Sequence, residues 1–401
     1  PQVASAKRAD DLVNSIGVNV HLSYFRTPYG TGWNDIIKPK ILELGVRHLR
    51  DGGVVVPDNK WMETVYGRMK EVAKEGVKFD LIMRPPLDSD DYTRMDHFDR
   101  LMQYAGPAVE SVEGLNEHDL SKRSSWTTEV RSFQKALYQK VKSDPRYEAL
   151  PVYGPSIGHP ANAPAVGDLS AYMDMGSLHP YPGGSPPLTN MIQHEGLLRS
   201  VFGAKRFVVT ESGYHTALGW TGGHPGVAEE AMARYIMRLV LEYFDLGIPR
   251  TYLYELIDQG DDQRDREQNF GLLRMNGSEK PAFTALKHLI GLLADPGPEF
   301  ETGRLAYAAR GATAGVRQVL LQKRDGRYYL ILWQNKMSFD LGTKSLIFPK
   351  TLDVTLELDR QATSVKVYMP LESRSPIEQL DRVRTIPVSV PDSPIVVEIQ
   401  P

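Results

Sequence analysis

The chain contains no cysteine. That excludes disulfides, thiolate metal centres and a thiol nucleophile, but it leaves the compartment open. It also lacks any apolar run of the ~18 residues that a membrane-spanning helix needs, so no membrane partner is expected. There is little charge of either sign in excess. The 47 Lys and Arg nearly balance the 50 Asp and Glu, for a net charge of −3, and nothing here favours a polyanion, so no nucleic-acid partner is expected either. No repeat of fixed short period is visible. Pro1 to Asp11 lack the charged-then-apolar pattern of a signal peptide. Because the chain starts at proline, the expectation is a secreted or periplasmic protein whose export signal has been removed, with a cytoplasmic place as the alternative.

What the chain does have is a globular composition, 41% apolar and 24% charged. Its 401 residues make more than one ordinary domain and fewer than three. Up to about residue 290, short apolar runs alternate with segments of helical period. The strand candidates are Gly17–Leu22, Val46–Arg50, Lys78–Met83, Val109–Asn116, Pro151–Gly154, Met175–His179, Arg206–Thr210 and Arg250–Tyr254. Several are almost continuously apolar, as parallel strands covered on both faces are. Between them, Ile236, Leu239, Val240, Tyr243 and Phe244 mark a helix over Ala231–Leu246 that Gly247 and Pro249 end. Ser125 is placed to cap another. Eight β/α units predict a parallel sheet closed into a (β/α)8 barrel of ~250 residues.

Beyond about residue 300 helical period stops. Val319–Gln322 and Tyr328–Trp333 flank Asp325-Gly326, a hairpin signal. Leu352, Val354, Leu356 and Leu358 alternate at period two, as do Ile386, Val388 and Val390. This predicts a small antiparallel β-sandwich over residues 296–401, after a barrel over residues 1–295, with the joint at Asp295-Pro296-Gly297-Pro298. Trp333 is expected in the core of the second domain.

Catalytic groups of such barrels sit where strands end at the carboxyl face. The fourth strand candidate ends Val112-Glu113-Gly114-Leu115-Asn116-Glu117, and the seventh ends Phe207-Val208-Val209-Thr210-Glu211. Two carboxyl groups facing each other across a barrel mouth suit glycosidic-bond cleavage. One protonates the departing oxygen, and the other stays ionised to attack the anomeric carbon or to activate water.

In these motifs the chain resembles the retaining glycoside hydrolases of clan A, the branches around families 39 and 5. The resemblance implies that Glu117 is the acid/base and Glu211 the nucleophile, that Asn116 binds a sugar hydroxyl, that Arg50 braces the nucleophile, and that His179 or Tyr181 contacts it. It covers the barrel in order, and an appended β-domain is common in the clan. Two departures stand out. His118 replaces the usual proline after Asn-Glu, and Tyr252-Leu253-Tyr254 stands where a strand-eight Trp is common.

Further candidates for substrate contact are Tyr214, Trp220 in its glycine-rich loop, Glu255, Asp258, His21 and Tyr24. Glu113 is expected to point into the barrel and pair with a basic residue. No cofactor and no metal are expected: the acidic runs Asp88–Asp91 and Asp261-Asp262 lack calcium-loop spacing, and Val20-His21-Leu22 offers one histidine where a metal-dependent hydrolase on this fold needs His-x-His. The leading reading is a retaining glycosidase acting as a monomer or weak homo-oligomer on a poly- or oligosaccharide. The alternatives are a transglycosylase using the same carboxylates and a carbohydrate-binding barrel without turnover.

Overall fold

A computed structural model describes residues 2–401. The eight barrel strands are β1 (Ile16–Asn19), β2 (His48–Gly53), β3 (Lys78–Met83), β4 (Val109–Glu113), β5 (Val152–Tyr153), β6 (Gly176–Leu178), β7 (Phe207–Ser212) and β8 (Thr251–Leu253). Each pairs in parallel with its neighbours, β8 returns to β1, and a parallel bridge between Tyr153 and Met175 joins β5 to β6. The ring is closed, and all eight fall within the predicted runs or within three residues of them. Apolar residues of β1 and β7 are buried throughout, which is why these segments read as continuous apolar runs.

The barrel interior is not wholly apolar. Asn19, Arg50, Asp80, Ser111, Glu113, Ser177 and Thr210 are all buried within it or at its carboxyl end. Groups of this kind are tolerated out of water only when they satisfy one another, and most of them do so in one network.

The helix Glu229–Asp245 is buried on nearly every side. One stripe packs on the barrel. Another, Arg234, Arg238 and Glu242 at intervals of four, faces the second domain. Arg238 Nη1 donates to the carbonyls of Gln334 and Lys336 (both 2.8 Å), and Trp333 Nε1 donates to Glu242 Oε1 (2.9 Å). Gly247, at φ +80°, ends the helix as predicted. Ser125 precedes its helix, but its hydroxyl bonds the Glu129 carboxylate (2.6 Å) rather than a backbone N–H.

The second domain is built on a sheet of eight strands, antiparallel except where Lys7–Arg8 runs parallel to its partner. The predicted hairpin pairs Val316–Gln322 with Tyr328–Gln334, and Gly326 turns it at φ +87°. The long strand Leu352–Tyr368 pairs with Arg304–Gly311 by its first half and with Ile395–Gln400 by its second. Its inward residues Val354, Leu356, Leu358, Val365 and Val367 share one apolar core with Leu330, Leu332 and Val397. On the opposite face, Tyr329, Ile331 and Trp333 join the core of the barrel. Trp333 is therefore core, as predicted, but on the side of the barrel. Residues near the start also belong to this sheet: Gln2–Ser5 pairs with Arg304–Tyr307, and Lys7–Arg8 with Leu321–Gln322.

Candidate active site

β2 delivers Arg50 to the centre of the carboxyl end. Its side chain is 1% exposed, so its charge needs partners. Nε and Nη2 clasp Glu113 (2.6 and 3.1 Å), Nη1 reaches Glu211 Oε1 (2.7 Å) and Asn19 Oδ1 (2.9 Å), and Nη2 also meets Asn116 Oδ1 (2.7 Å). The rigid fork of a guanidinium is suited to holding several acceptors at fixed angles. Glu113 is thus the structural partner expected of it.

Glu211 is the last residue but one of β7. Its Oε1 takes Arg50 and its Oε2 takes the Tyr181 hydroxyl (2.8 Å). Burial pushes its pKa up, but the charges of His179 and Arg50 and the Tyr181 bond outweigh burial and hold it below the ordinary glutamate value. Glu117 lies four residues past β4, in the left-handed region at φ +43°. Its N–H donates to the Ser156 carbonyl (3.1 Å), which fixes this unusual conformation. A 3₁₀ turn, His118–Ser121, follows.

His179, just past β6, links the two carboxylates. Its Nδ1 lies 2.8 Å from Glu117 Oε1 and 3.6 Å from Glu211 Oε2, and its Nε2 lies 3.0 Å from Thr210 Oγ1. The Thr210 hydroxyl donates to Glu113, so it accepts from His179 Nε2. Nδ1 is then the nitrogen that faces the Glu117 carboxyl. Burial pushes the His179 pKa down, but the charges of Glu211 and Glu117 outweigh burial and leave it above the ordinary value. One oxygen of each glutamate and a ring nitrogen of His179 all lie within 4.8 Å of one another. Among the described residues they are the only such convergence of His and acidic groups. Asn116 Oδ1 is committed to Arg50 and Ser156 (3.2 Å), so its amide donors remain for a ligand.

These groups line a cleft of about 910 Å³ to which the loops after all eight strands contribute.

No protein-family model matches the chain, and neither does any curated protein. Solved structures do. A family 39 glycoside hydrolase from the gut symbiont Bacteroides cellulosilyticus WH2 superposes at a TM-score of 0.66 with 15% identity, over 97% of this chain and 82% of that one. A glucosidase from Croceicoccus marinus gives 0.65 and 13%, over 99% and 97%. A family 39 β-xylosidase from Caulobacter crescentus gives 0.62 and 13%, over 99% and 98%. The fold is that of the family 39 glycoside hydrolases. It is shared over both domains, the barrel and the appended sheet.

On this family 39 fold the remaining candidates part ways. His21 lines the cleft, its ring stacked on Tyr24 at 4.5 Å and its Nε2 3.2 Å from the Tyr254 hydroxyl. Burial lowers its pKa to about 4, so the ring is neutral. Glu255 does not reach the cleft. It lies fully buried behind His21 (3.4 Å) and accepts from Tyr29 (2.7 Å) and Gln259 (2.9 Å). Burial raises it to about 8, so it is an uncharged prop for His21 and not a sugar contact. Asp258 is likewise corrected. Its Oδ1 is bound by Lys280 Nζ and the Gly271 N–H (both 2.8 Å), a buried ion pair away from the cleft. Tyr214 stacks on Tyr235 at 4.9 Å and donates to the Ser185 carbonyl, so it packs the wall behind the site. Trp220 ties its own loop through Nε1 to Gly223 and lies under Arg266, which does line the cleft.

The sequence reading did not single out Asn19, His159 or Phe270, all of which line the cleft. A usable signal existed for Asn19: it shares strand parity with His21, and a lone amide in an apolar strand is unusual. Tyr254 takes the place of the expected tryptophan, one residue past β8.

Proposed function

We propose that the chain is a retaining glycoside hydrolase acting on O-glycosidic bonds of a poly- or oligosaccharide, with Glu211 as nucleophile and Glu117 as acid/base. The observation that carries this reading is the convergence of the two carboxylates within 4.8 Å around His179. Double displacement needs carboxyl groups ~5–5.5 Å apart, whereas inversion needs ~6.5–9.5 Å to admit a water between them.

The environment of each glutamate suits its part. Glu211 is held ionised by Arg50 and Tyr181 with one oxygen aimed at the shared space. It attacks the anomeric carbon while Glu117 gives its proton to the departing oxygen. The new carboxylate of Glu117 stays in contact with His179 Nδ1. Once the glycosyl ester has formed, Glu211 no longer carries a charge, and Glu117 takes a proton from the incoming water, which releases the sugar with its original configuration. The Asn116 amide donors, beside both groups, are placed for the hydroxyl next to the anomeric carbon.

The test is a panel of oligo- and polysaccharides, with the first product's anomeric configuration read by NMR. Retention is expected; an inverted first product overturns the mechanism. Glu117→Ala and Glu211→Ala should each lose ~10²–10⁴-fold in kcat, with azide restoring turnover as a glycosyl azide of opposite configuration in the two variants. Wild-type turnover in either variant sinks the assignment.

A further inference from the structure

The two walls of the cleft differ in chemistry. On the side of β6 to β8 it is lined by Asn190, His194, His224, Arg266 and Glu267, groups that hydrogen-bond hydroxyls, with the aromatic Tyr181, Tyr254 and Phe270 nearer the carboxylates. On the side of the loops after β2 to β4 it is lined by Val54, Val56, Trp61, Leu87 and Leu120, with Asp51 and Arg84 as the charged groups. Leu87 is 51% exposed and Leu120 45%. Apolar surface of this kind at the mouth of a site gains when a ligand covers it.

Both leucines stand on the Glu117 side. Leu120 lies on the turn that follows Glu117, with its N–H on the Glu117 carbonyl (3.0 Å), and Gly158 packs closely against the side chains of both. The β3 loop that carries Leu87 is tied to the same turn. Arg123 pairs with Asp90 (3.5 Å) and lies over the Tyr92 ring, which packs on His118 at 5.2 Å. His118, in place of the usual proline, thereby joins the acid/base turn to its neighbour loop. Val54, Val56, Leu87 and Leu120 form an apolar track on that side of the cleft. Val56 and Leu87 also edge a second cavity of about 330 Å³, whose other walls carry Asp88, Arg94, Asp96, His97 and Arg100 beside Val55, Pro57 and Pro86.

We infer that this track is a leaving-group site for an apolar aglycone, an aryl or alkyl group. The inference rests on the glycosidase reading, because Glu117 protonates the departing oxygen and what departs must lie on its side. A second sugar there would set hydroxyls against Val56, Leu87 and Leu120, whose side chains offer them no partner, whereas an aryl or alkyl group covers these three. Arg84, exposed at the edge of the track, is placed to meet a polar substituent on such a group.

The experiment has two arms. In the first, saturation-transfer NMR follows binding of 4-nitrophenol and 1-hexanol, which needs no turnover, to wild type, Leu87→Asp and Val56→Asp. Circular dichroism confirms that each variant is folded, and the exposure of Leu87 makes its substitution mild. Transfer is expected for wild type and a ~5-fold weaker affinity for the variants. In the second arm, 4-nitrophenyl and hexyl glycosides are compared with the disaccharide of the same sugar. Leu87→Asp should lower kcat/KM for the aryl and alkyl glycosides ~10-fold relative to the disaccharide. Absence of transfer in wild type, or an unmoved ratio, overturns the apolar site even if glycosides are cleaved. Fragment binding that Leu87→Asp weakens, with no glycoside cleaved, supports the site while sinking the glycosidase reading.

Discussion

At the scale of single residues, Arg50 carries the most. Among the described residues it is the only cation touching Glu113, Glu211 and Asn116 together. Removing it leaves two buried carboxylates facing each other. Arg50→Ala should therefore cost ~3–5 kcal/mol of stability and abolish turnover; thermal unfolding and kcat/KM report the two effects. Tyr181→Phe is subtler. It removes a bond that stabilises the ionised Glu211, so the pKa of Glu211 rises and the acidic limb of the kcat/KM profile moves to higher pH. An unshifted limb would detach that limb from Glu211. Glu255 gives a prediction in stability. Its folded pKa, about 8, lies above its ordinary value of 4.5. Between these the unfolded chain loses the proton while the folded chain keeps it, so this group's contribution is full below pH 4.5 and is lost as pH rises toward 8. Glu255→Gln should flatten that slope of Tm against pH.

At the scale of elements, the barrel strands were legible because parallel strands covered on both faces read as apolar runs, even where only Val152–Tyr153 ends up paired. The positions of Glu117 and Glu211 followed from counting those strands. What lies after a strand end was not legible. Tyr214 and Asp258 leave β7 and β8 in loops, where neither period two nor period 3.6 says which way a side chain turns, and both turn inward to packing partners. Glu255 shows a further limit: a buried carboxyl held neutral is indistinguishable in sequence from a sugar-binding one. The helix Glu229–Asp245 was legible by its apolar stripe, while its second buried stripe is polar and gave no periodic signal. That stripe makes it the joint between domains. Trp333→Ala, which empties a fully buried site and orphans Glu242, should cost ~3–5 kcal/mol, measured by denaturant unfolding.

At the scale of the whole molecule, the two domains share one apolar core through Tyr329, Ile331 and Trp333. Unfolding should therefore follow a single cooperative transition by calorimetry. Two separated transitions would show the barrel and the sheet to be thermodynamically independent. A barrel cut at residue 295 would expose the helix face that holds Trp333, and it should self-associate on size exclusion.

The pairing of residues 2–8 with the second sheet has a consequence for synthesis. The Ala6 carbonyl accepts from Thr302, 296 positions later. At ~5–20 residues per second, the emerging segment waits on the order of 15–60 s for its partner strands, the time in which the whole barrel is made. A chaperone that binds short extended segments would have that interval in which to capture it, and a bulky amino-terminal fusion would sit beside the second domain, where it can delay the last step of assembly without touching the cleft.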